Sequence, residues 1–292
     1  MRRLPFYRTL VGLLCLLPTL VAAQTPKIIS SDWAIVETLV AMGHAPIGVG
    51  DKLAYQRWVQ QPTLPKNTAD IGLRAQPNLE LIRQLQPDLV VNSSWFMQLQ
   101  VRAIPNARTV KLDFFTNHGI EWQHTVQQTQ QLGRLIGKPA AATALVTQTE
   151  RQFAHQQTLL APYRSQPLAV VQFIDARHLR IYGHNSLYGQ TLERLQLRNA
   201  WSGKTNAWGF NQIGVLQLAK LPANTRLVVV HPHPANVQQQ LNKSVLWQRL
   251  PFRQAQHQLV LPAVWSFGAL PSMQRFANTL TLGLTGKQVT PW

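Results

Sequence analysis

The sequence predicts an α/β protein built from two lobes, each with a parallel sheet, joined by one long rigid helix. Short β-rich runs alternate with helical patterns in the first half of the chain, and the same alternation begins again after Pro167. Such alternation is typical of parallel βαβ units. A long helical pattern without an internal breaker separates the two series. We therefore expect a first lobe over 24–137, an interlobe helix over 138–163 and a second lobe over 164–292.

The elements of the first lobe follow from its apolar periodicity. Helical spacing predicts helices over 33–42 and 78–86, and the second of these begins at the turn-forming Gln-Pro-Asn sequence. The apolar runs between the helices have the length and composition of buried strands. The predicted strands are "KIIS", "PIGVG", "DLVVNS" and "TVKLDF".

The interlobe helix has clear ends and one apolar stripe. Pro139 suits its first position and Pro162 closes it, while Val146, Phe153 and Leu160 recur every seven residues. At ~1.5 Å per residue the helix would be on the order of 33 Å long. We interpret it as a strut between the lobes, and an ordinary helix inside one continuous domain is the alternative.

The second lobe repeats the pattern of the first. Helices are predicted near 186–197 and 235–242, and a final helix begins at Pro271. In open α/β sheets, ligands bind beyond the carboxyl ends of the strands, so the residues that follow each strand are the first candidates for a site. The predicted strands are "LAVVQFID", "RLVVV" and "QLVLPAV".

The segment 1–23 has the pattern of a secretory signal. Three arginines precede an apolar run over 10–20, which is too short to span a bilayer, and we expect cleavage before Gln24. Cys15, the only cysteine of the chain, lies in this segment. The mature protein then has no thiol, which fits an oxidising compartment and excludes thiolate metal sites and cysteine nucleophiles.

The chain is strongly basic, with a formal net charge of +17 that becomes +14 without the three arginines of the signal. A positive balance can indicate nucleic acid or an anionic membrane as partner. The basic residues are nevertheless scattered singly among glutamines, without a cluster or a basic helix face. We interpret them as a solvated surface and expect a monomer without a nucleic-acid partner.

Aromatic residues accumulate where strands end. Trp58, Trp95, Trp208 and Trp265 lie beside Gly, Ser, Asn or Pro in segments that we interpret as loops. Each tryptophan alone could belong to a core. Together, aromatic residues on opposing loops predict a wide apolar cleft, and Arg74, between a Gly-Leu turn and a helix start, is the candidate cation beside it.

Catalytic and metal-binding patterns are poorly represented. The chain has no G-x-S-x-G, H-E-x-x-H or phosphate-binding G-x-x-x-x-G-K-[ST] motif, and its 11 acidic residues are spread singly. His231 and His233 are candidate metal ligands, although a third ligand cannot be named and a rigid loop is the alternative. Asp175 and His178 could form a dyad, but no activated serine accompanies them, and a capping pair is the alternative.

Several longer segments resemble the periplasmic ferric-hydroxamate siderophore binding proteins of ABC importers. The motifs G-L-R-x-x-P-N-x-E and N-A-W-x-G-x-T-N-x-W are specific to that group, and the likeness covers nearly the whole mature chain. It implies the class III binding-protein fold of the helical-backbone metal-receptor type, with a shallow aromatic cleft and little closure. The segments that carry it are "DWAIVETLVAMGHAPIGVGD", "YQRWVQQPTLP", "IGLRAQPNLELIRQLQPDLVV", "FIDARHLRIYGHNSLYGQTLERL", "NAWSGKTNAWG" and "LPAVWSFGA".

The resemblance also implies roles for individual residues. An arginine at the position of Arg74 donates hydrogen bonds to the hydroxamate oxygens around iron, which suits a planar charged fork. Three hydroxamates fill the six coordination positions of iron, so we expect no metal ligand from the protein and no cofactor. The expected ligand-binding residues are Arg74, Trp33, Trp58, Trp95, Phe96, Ile174, Asn206, Trp208, Trp265 and Phe267.

The pocket departs from the family pattern in three places. A family tyrosine falls on Phe96, so one hydroxyl donor is missing, and Ser93, Ser94 or Trp95 could replace it. A pocket tryptophan becomes Asn92. Arg180 stands where the family has an apolar residue, which would favour a more anionic chelate such as a mixed hydroxamate–carboxylate.

Docking to the permease is a further expectation from the resemblance. Importers of this family present an acid on each lobe to permease arginines, and Glu80 matches the first acid. Leu216 occupies the second position, so that contact is weaker, displaced or absent. Glu80 is also a first-turn acid of the kind that the helix dipole favours.

The sequence thus predicts a non-catalytic periplasmic receptor that binds a ferric hydroxamate siderophore and delivers it to an inner-membrane ABC permease. A haem or corrinoid carrier of the same fold is one alternative, and haem would need an axial Tyr or His in the cleft. A secreted α/β hydrolase using Asp175 and His178 is the other.

Overall fold

The computed structural model describes residues 25–97, 104, 107–254 and 257–287. The predicted signal segment lies outside the described residues. Two five-stranded sheets, one in each half of the chain, are linked by a long helix. Among the described helices, none combines the length and apolar character that crossing a membrane requires.

The first sheet is wholly parallel, with strand order β3-β2-β1-β4-β5. Its strands are β1 (Ile28–Ser30), β2 (Gly48–Val49), β3 (Ala69–Asp70), β4 (Leu89–Asn92) and β5 (Arg108–Lys111). The helices of this half are α1 (Trp33–Ala41), α2 (Lys52–Trp58), α3 (Leu79–Leu85), α4 (Ser94–Met97) and α5 (Trp122–Leu135).

Two helices of this lobe begin at capping residues that the sequence makes recognisable. The carboxylate of Asp32 accepts a hydrogen bond from the Ala34 N–H at 2.9 Å and starts α1 directly after β1. The amide oxygen of Asn78 accepts from two backbone N–H groups and starts α3. These caps satisfy donors that helix starts leave unpaired.

The interlobe helix is α6 (Pro139–Leu159), followed by a 3-10 turn over Ala161–Tyr163. Pro139 occupies the first turn, and Val146 and Phe153 lie on the buried face. The predicted long helix between two α/β lobes is confirmed. The domain boundaries at 137/138 and 163/164 stay predictions.

The second sheet is mixed, with strand order β10-β9-β6-β7-β8. Its strands are β6 (Leu168–Phe173), β7 (His178–Tyr182), β8 (Phe210–Gly214), β9 (Arg226–Val230) and β10 (Gln258–Leu261). The helices are α7 (Leu187–Arg194), α8 (Val237–Lys243), α9 (Val245–Gln248) and α10 (Leu270–Leu284).

The prediction of a parallel sheet was wrong for one strand of the second lobe, β7, and therefore for two strand pairs. β6, β9 and β10 are parallel, but β7 is antiparallel to both β6 and β8. Only the residues 174–177 connect β6 to β7. A parallel return needs a crossover of a dozen or more residues, so this short turn can only produce a hairpin.

The loop interpretation of Trp58 and Trp95 was also wrong. Trp58 is the last residue of α2, and Trp95 lies in the short helix α4. The small and polar residues before these tryptophans mark the starts of helices that follow the strands directly. The site therefore combines residues of short helices, such as Trp95, with loop residues such as Arg74 and Trp265.

One apolar core extends through both lobes. Buried residues of β1 and α1, the inner face of α6, and the strands and helices of the second lobe form one continuous cluster. α10 packs on α6 and α7, and it also contacts α1 and α5 of the first lobe. Separate smaller clusters cover the outer faces of the two sheets. The lobes are thus joined by packed side chains as well as by the covalent connection through α6.

Candidate ligand-binding cleft

A cavity of about 340 Å³ lies between the lobes, at the carboxyl ends of strands from both sheets. Its walls are mainly aromatic, with a few charged and hydroxyl groups. From the first lobe it is lined by Asp32, Ala34, Arg74, Ser93, Trp95, Phe96, Asp113, Phe114 and Phe115, and from the second by Arg180, Trp208, Phe210, Trp265 and Phe267.

Arg74 is held rigidly at this cavity. Its backbone N–H donates to the Asp51 carboxylate at 2.9 Å, and its Nε donates to the Ser31 carbonyl at 2.8 Å. A Cβ on Gly50 would lie only 3.1 Å from the Arg74 Cα, so glycine allows this close approach. Among the described residues, neither terminal nitrogen of Arg74 has a protein acceptor. Both terminal nitrogens are therefore available to a ligand.

Aromatic rings surround the Arg74 guanidinium. Its Cζ lies 4.1 Å from the ring centroid of Trp33, 4.5 Å from that of Phe96 and 5.6 Å from that of Trp265. Burial lowers the pKa of Arg74, whereas the charges of Asp32 and Asp51 raise it. A guanidinium keeps its proton in proteins. The result is a partly desolvated, permanently cationic fork whose cation–π contacts fix its orientation.

Trp33 lies beneath Arg74 rather than on the cavity surface. It is only 3% exposed, and its indole N–H donates to the Gly50 carbonyl at 2.9 Å. Its ring packs against Trp265 at a centroid distance of 4.8 Å, and the ring of Trp58 also contacts Trp265, at 6.0 Å. Trp265 lines the cavity, so Trp33 and Trp58 support the wall that a ligand would touch.

The rim of the cavity is made by aromatic residues that meet across the lobes. Trp95 of the first lobe is 66% exposed and lies 4.7 Å from Trp208 of the second. Phe115 contacts Trp208 at 5.9 Å and Phe267 at 6.0 Å. A neighbouring cavity of about 460 Å³ also has Trp95, Phe115 and Trp208 in its wall. These rings, which come from both lobes, therefore form the wall between the two cavities.

Two buried donors beside the cavity have no acceptor among the described residues. They are the hydroxyl of Ser93 and the indole N–H of Trp265, both in residues that line the cavity. An unpaired buried donor is costly, so a ligand acceptor would relieve both groups. Ser94, by contrast, is engaged, because its N–H and its hydroxyl both donate to the Asp113 carboxylate at 2.7 Å.

Besides Trp33 and Trp58, two more of the residues that we expected at the ligand lie away from the cavity wall. Ile174 is 37% exposed after β6 and is not among the residues that line the cavity. The amide oxygen of Asn206 accepts from the backbone N–H groups of Trp208 and Phe210, at 2.9 and 3.3 Å. Asn206 therefore shapes the turn that presents Trp208.

Sequence reasoning missed Asp113, Phe115 and Phe210 at the cavity. Asp113 and Phe115 follow β5 directly, so the same rule about strand ends could have found them. It also missed the role of Asn92, whose side-chain oxygen accepts from the Ser31 N–H at 2.7 Å and ties the ends of β4 and β1 together.

The histidine candidates lie outside this cavity. The rings of His231 and His233 stack at 4.2 Å, and no group of three or more metal-binding side chains occurs among the described residues. Asp175 contacts His178 at 3.0 Å on an exposed turn and accepts from the backbone N–H of Arg177 and His178. The hydrogen bond from the His178 side chain lowers the pKa of Asp175. The pair thus caps the β6–β7 turn.

The family model of periplasmic binding proteins matches residues 28–264, and the chain therefore belongs to the periplasmic binding protein family, whose members are transport components and not enzymes. The chain is similar to the iron(3+)-hydroxamate-binding protein FhuD of Escherichia coli strain K12. The two are 30% identical over 270 residues, which cover 91% of this chain and 89% of the relative.

Solved structures agree with this assignment. The Fe3+-Desferal-bound siderophore binding protein FhuD from Vibrio cholerae matches with a TM-score of 0.80 and 27% identity, over 89% of this chain and 98% of that one. Staphylococcus aureus SirA complexed with staphyloferrin B matches with a TM-score of 0.65 and 21% identity, over 90% and 94% of the two chains, and supports the fold alone. The class III architecture and the family resemblance predicted from the sequence are confirmed.

Proposed function

We propose that this protein binds a ferric hydroxamate siderophore in the interlobe cleft and delivers it to an ABC-type permease for iron uptake. The observation that carries the proposal is the Arg74 fork, fixed on aromatic rings with its terminal nitrogens available at the cavity. The similarity to a ferric-hydroxamate binding protein over most of the chain supports it.

The chelate arrives with the coordination positions of iron already filled, so recognition concerns its oxygens and its organic backbone. Arg74 donates charge-assisted hydrogen bonds to the hydroxamate oxygens. The Ser93 hydroxyl and the Trp265 indole N–H add donors in place of the hydroxyl that Phe96 lacks. The aromatic walls remove the siderophore backbone from water, at about 25 cal/mol per Å² before the costs of association.

The cellular setting follows from the same proposal. The segment before Gln24 is removed after export, and the mature chain works in the periplasm as a monomer without a nucleic-acid partner. Glu80 is exposed in the first turn of α3 and serves as a permease contact of the first lobe. Leu216, which is 54% exposed, leaves the second lobe with an apolar contact instead of an acid.

The alternatives lack comparable support. Haem would need an axial Tyr or His, and neither is present among the described residues that line the cavity beside Arg74. His124 lies in the wall of the neighbouring cavity, where its Nε2 is engaged with the Asp113 carbonyl at 2.7 Å. The Asp175–His178 pair of the hydrolase alternative caps an exposed turn and is absent from the cavity wall.

Quenching of tryptophan fluorescence tests the function directly, because several indoles line or support the cavity. We expect saturable quenching by ferrichrome or ferrioxamine B and none by haem, cobalamin or the iron-free siderophores. Binding of haem or cobalamin with no response to any ferric hydroxamate would refute the proposal.

A further inference from the structure

Arg180 brings a second guanidinium to the cleft, from the opposite lobe to Arg74. It lies in β7 at the antiparallel pair with Gln212 of β8, and its Cζ stands 4.9 Å from the ring centroid of Phe210. Both Arg180 and Phe210 line the cavity. Arg180 is half-buried, so its charge is only partly screened by solvent.

No carboxylate of the described residues forms an ion pair with Arg180. In the described part of the chain the ion pairs are those of His178 with Asp175 and of His184 with Glu193, and both are exposed. A cation that lines a cavity without an anionic partner is poised to receive one from a ligand.

The two walls of the cavity differ in how their charges are balanced. On the first lobe, the carboxylates of Asp32 and Asp113 line the cavity together with Arg74. Both carboxylates already accept hydrogen bonds from the protein: Asp32 caps α1, and Asp113 accepts two hydrogen bonds from Ser94. On the second lobe, Arg180 is the only charged residue among those that line the cavity. The charges of the cavity wall are therefore divided between the lobes: the first-lobe wall carries two carboxylates and the guanidinium of Arg74, and the second-lobe wall carries the guanidinium of Arg180 alone.

The charge of the whole chain acts in the same direction. The formal net charge of +17 falls only to +14 when the three arginines of the signal segment are removed. A field of this sign raises the local concentration of anions and their rate of association. It cannot by itself select among chelates, since selection needs a charge at the site.

We propose that Arg180 binds an anionic group of the chelate, so that the protein has a higher affinity for ferric hydroxamates that carry a carboxylate than for neutral or cationic ones. This inference rests on the proposed function. In it, Arg74 binds the hydroxamate oxygens around iron, and Arg180 binds a carboxylate on the organic backbone. The planar fork of an arginine suits a carboxylate because it can donate two parallel hydrogen bonds.

A matched series of probes isolates the charge from the chelate core. Ferrioxamine B carries a terminal ammonium group, its N-acetyl derivative is neutral there, and its N-succinyl derivative carries a carboxylate, while the three hydroxamates and the iron are the same. We expect affinity to rise from the ammonium to the acetyl to the succinyl compound, with a gain of about tenfold from the acetyl to the succinyl compound. Titration by fluorescence quenching or calorimetry measures it.

Arg180→Gln tests the assignment to this residue. The variant should bind the succinyl compound about tenfold more weakly and the acetyl compound within about twofold of the wild type. Retained binding of the acetyl compound shows that the variant is folded. Arg198→Gln is the matched control, because Arg198 is exposed in a separate cavity of the second lobe and its removal lowers the net charge equally. It should leave the order and spacing of the three affinities unchanged.

The possible outcomes separate this proposal from the proposed function. Equal affinity of the wild type for the three compounds, or an equal loss for all three in Arg180→Gln, would overturn the role of Arg180 while the receptor function stands. An equal loss of discrimination in Arg198→Gln would assign the preference to the overall field and would also overturn it. Failure of the wild type to bind any of the three would refute the proposed function itself.

Discussion

The two lobes are held together differently at the rim of the cleft and in the depth of their interface. At the rim, the exposed ring of Trp95 meets Trp208 at 4.7 Å. In the depth, Glu37, one helical turn beyond Trp33 in α1, is fully buried. Its carboxyl group accepts hydrogen bonds from the first turn of α10: from the Ala269 N–H at 2.6 Å and from the Ser272 N–H and hydroxyl at 3.3 and 2.6 Å.

The difference shows which part of the interface can adjust. Ring contacts favour offset or edge-to-face geometries by only ~0.5–1.5 kcal/mol, so rings at an exposed rim can shift against each other at small cost. Buried hydrogen bonds are directional, and their loss leaves donors unpaired away from water. A second directional bond between the lobes, which is part-buried, runs from Arg275 of α10 to the Gln60 side chain at 2.6 Å. The interface is thus fixed in its depth, while the rim can adapt to the shape of a ligand.

The largest effect should come from breaking the hydrogen bonds between Glu37 and the first turn of α10, which we call the deep contact. Glu37→Ala removes the acceptor of three hydrogen bonds and leaves a cavity, so we expect a loss of ~2–4 kcal/mol in the free energy of unfolding. Urea denaturation followed by circular dichroism measures it. Glu121→Ala is the control, because Glu121 is exposed and its side chain does not cap α5, and it should change stability by less than ~0.5 kcal/mol. Equal effects of the two changes would contradict the assignment.

Arg74→Ala should have the next largest effect, on binding. Loss of the charged fork weakens the chelate by more than ~1.5 kcal/mol, the range of hydrogen bonds to charged groups. Fluorescence titration with ferrichrome gives the dissociation constant. Arg57→Ala, which removes a charge from the exposed face of α2, serves as the control and should leave affinity unchanged. An unaltered affinity in Arg74→Ala would remove this residue from the site.

The deep contact also predicts a pH dependence of stability. Burial outweighs the hydrogen bonds and raises the pKa of Glu37 from 4.5 to about 8. Below pH 4.5 the group is protonated in both the folded and unfolded states. As the pH rises toward 8, the folded state retains a proton that the unfolded state has lost, so stability falls with a slope of at most ~1.4 kcal/mol per pH unit.

Glu37→Gln tests this dependence, because glutamine keeps the shape and does not titrate. The difference in unfolding free energy between wild type and variant should change with pH over this range and level off above it. A difference that is constant from pH 5 to about 8 would exclude the raised pKa.

The smallest effect is expected at the rim. Trp95→Ala should leave the free energy of unfolding within ~0.5 kcal/mol of the wild type, because the ring is exposed. It should nevertheless weaken a large ferric hydroxamate by ~1 kcal/mol through lost aromatic cover. Thermal unfolding and fluorescence titration separate the two quantities. A loss of stability as large as that of Glu37→Ala would show that rim and depth are equally rigid.

The sequence predicts those parts of this molecule that depend on neighbours along the chain. Helix starts at Asp32 and Asn78, the breaker-free run of α6 and the strand ends around Arg74 are all local patterns. Glu37 could not be found in this way. The single acidic residue in "WAIVETLVA" would be interpreted from the sequence as part of a solvent-exposed helix face. Its hydrogen-bond partner Ala269 lies 232 residues further along the chain, so no local pattern indicates the contact. The orphan hydroxyl of Ser93 is equally a product of packing.

The position of α10 determines when this protein can finish folding. The helix follows all the other described helices and strands, yet it fills the common core and contacts α1 and α5 of the first lobe. The amino-terminal half therefore cannot bury all of its apolar surface until residue 284 has been synthesised. We propose that this polypeptide is exported. A core that closes only after α10 has emerged would leave the preceding chain unfolded enough to pass through a translocation channel.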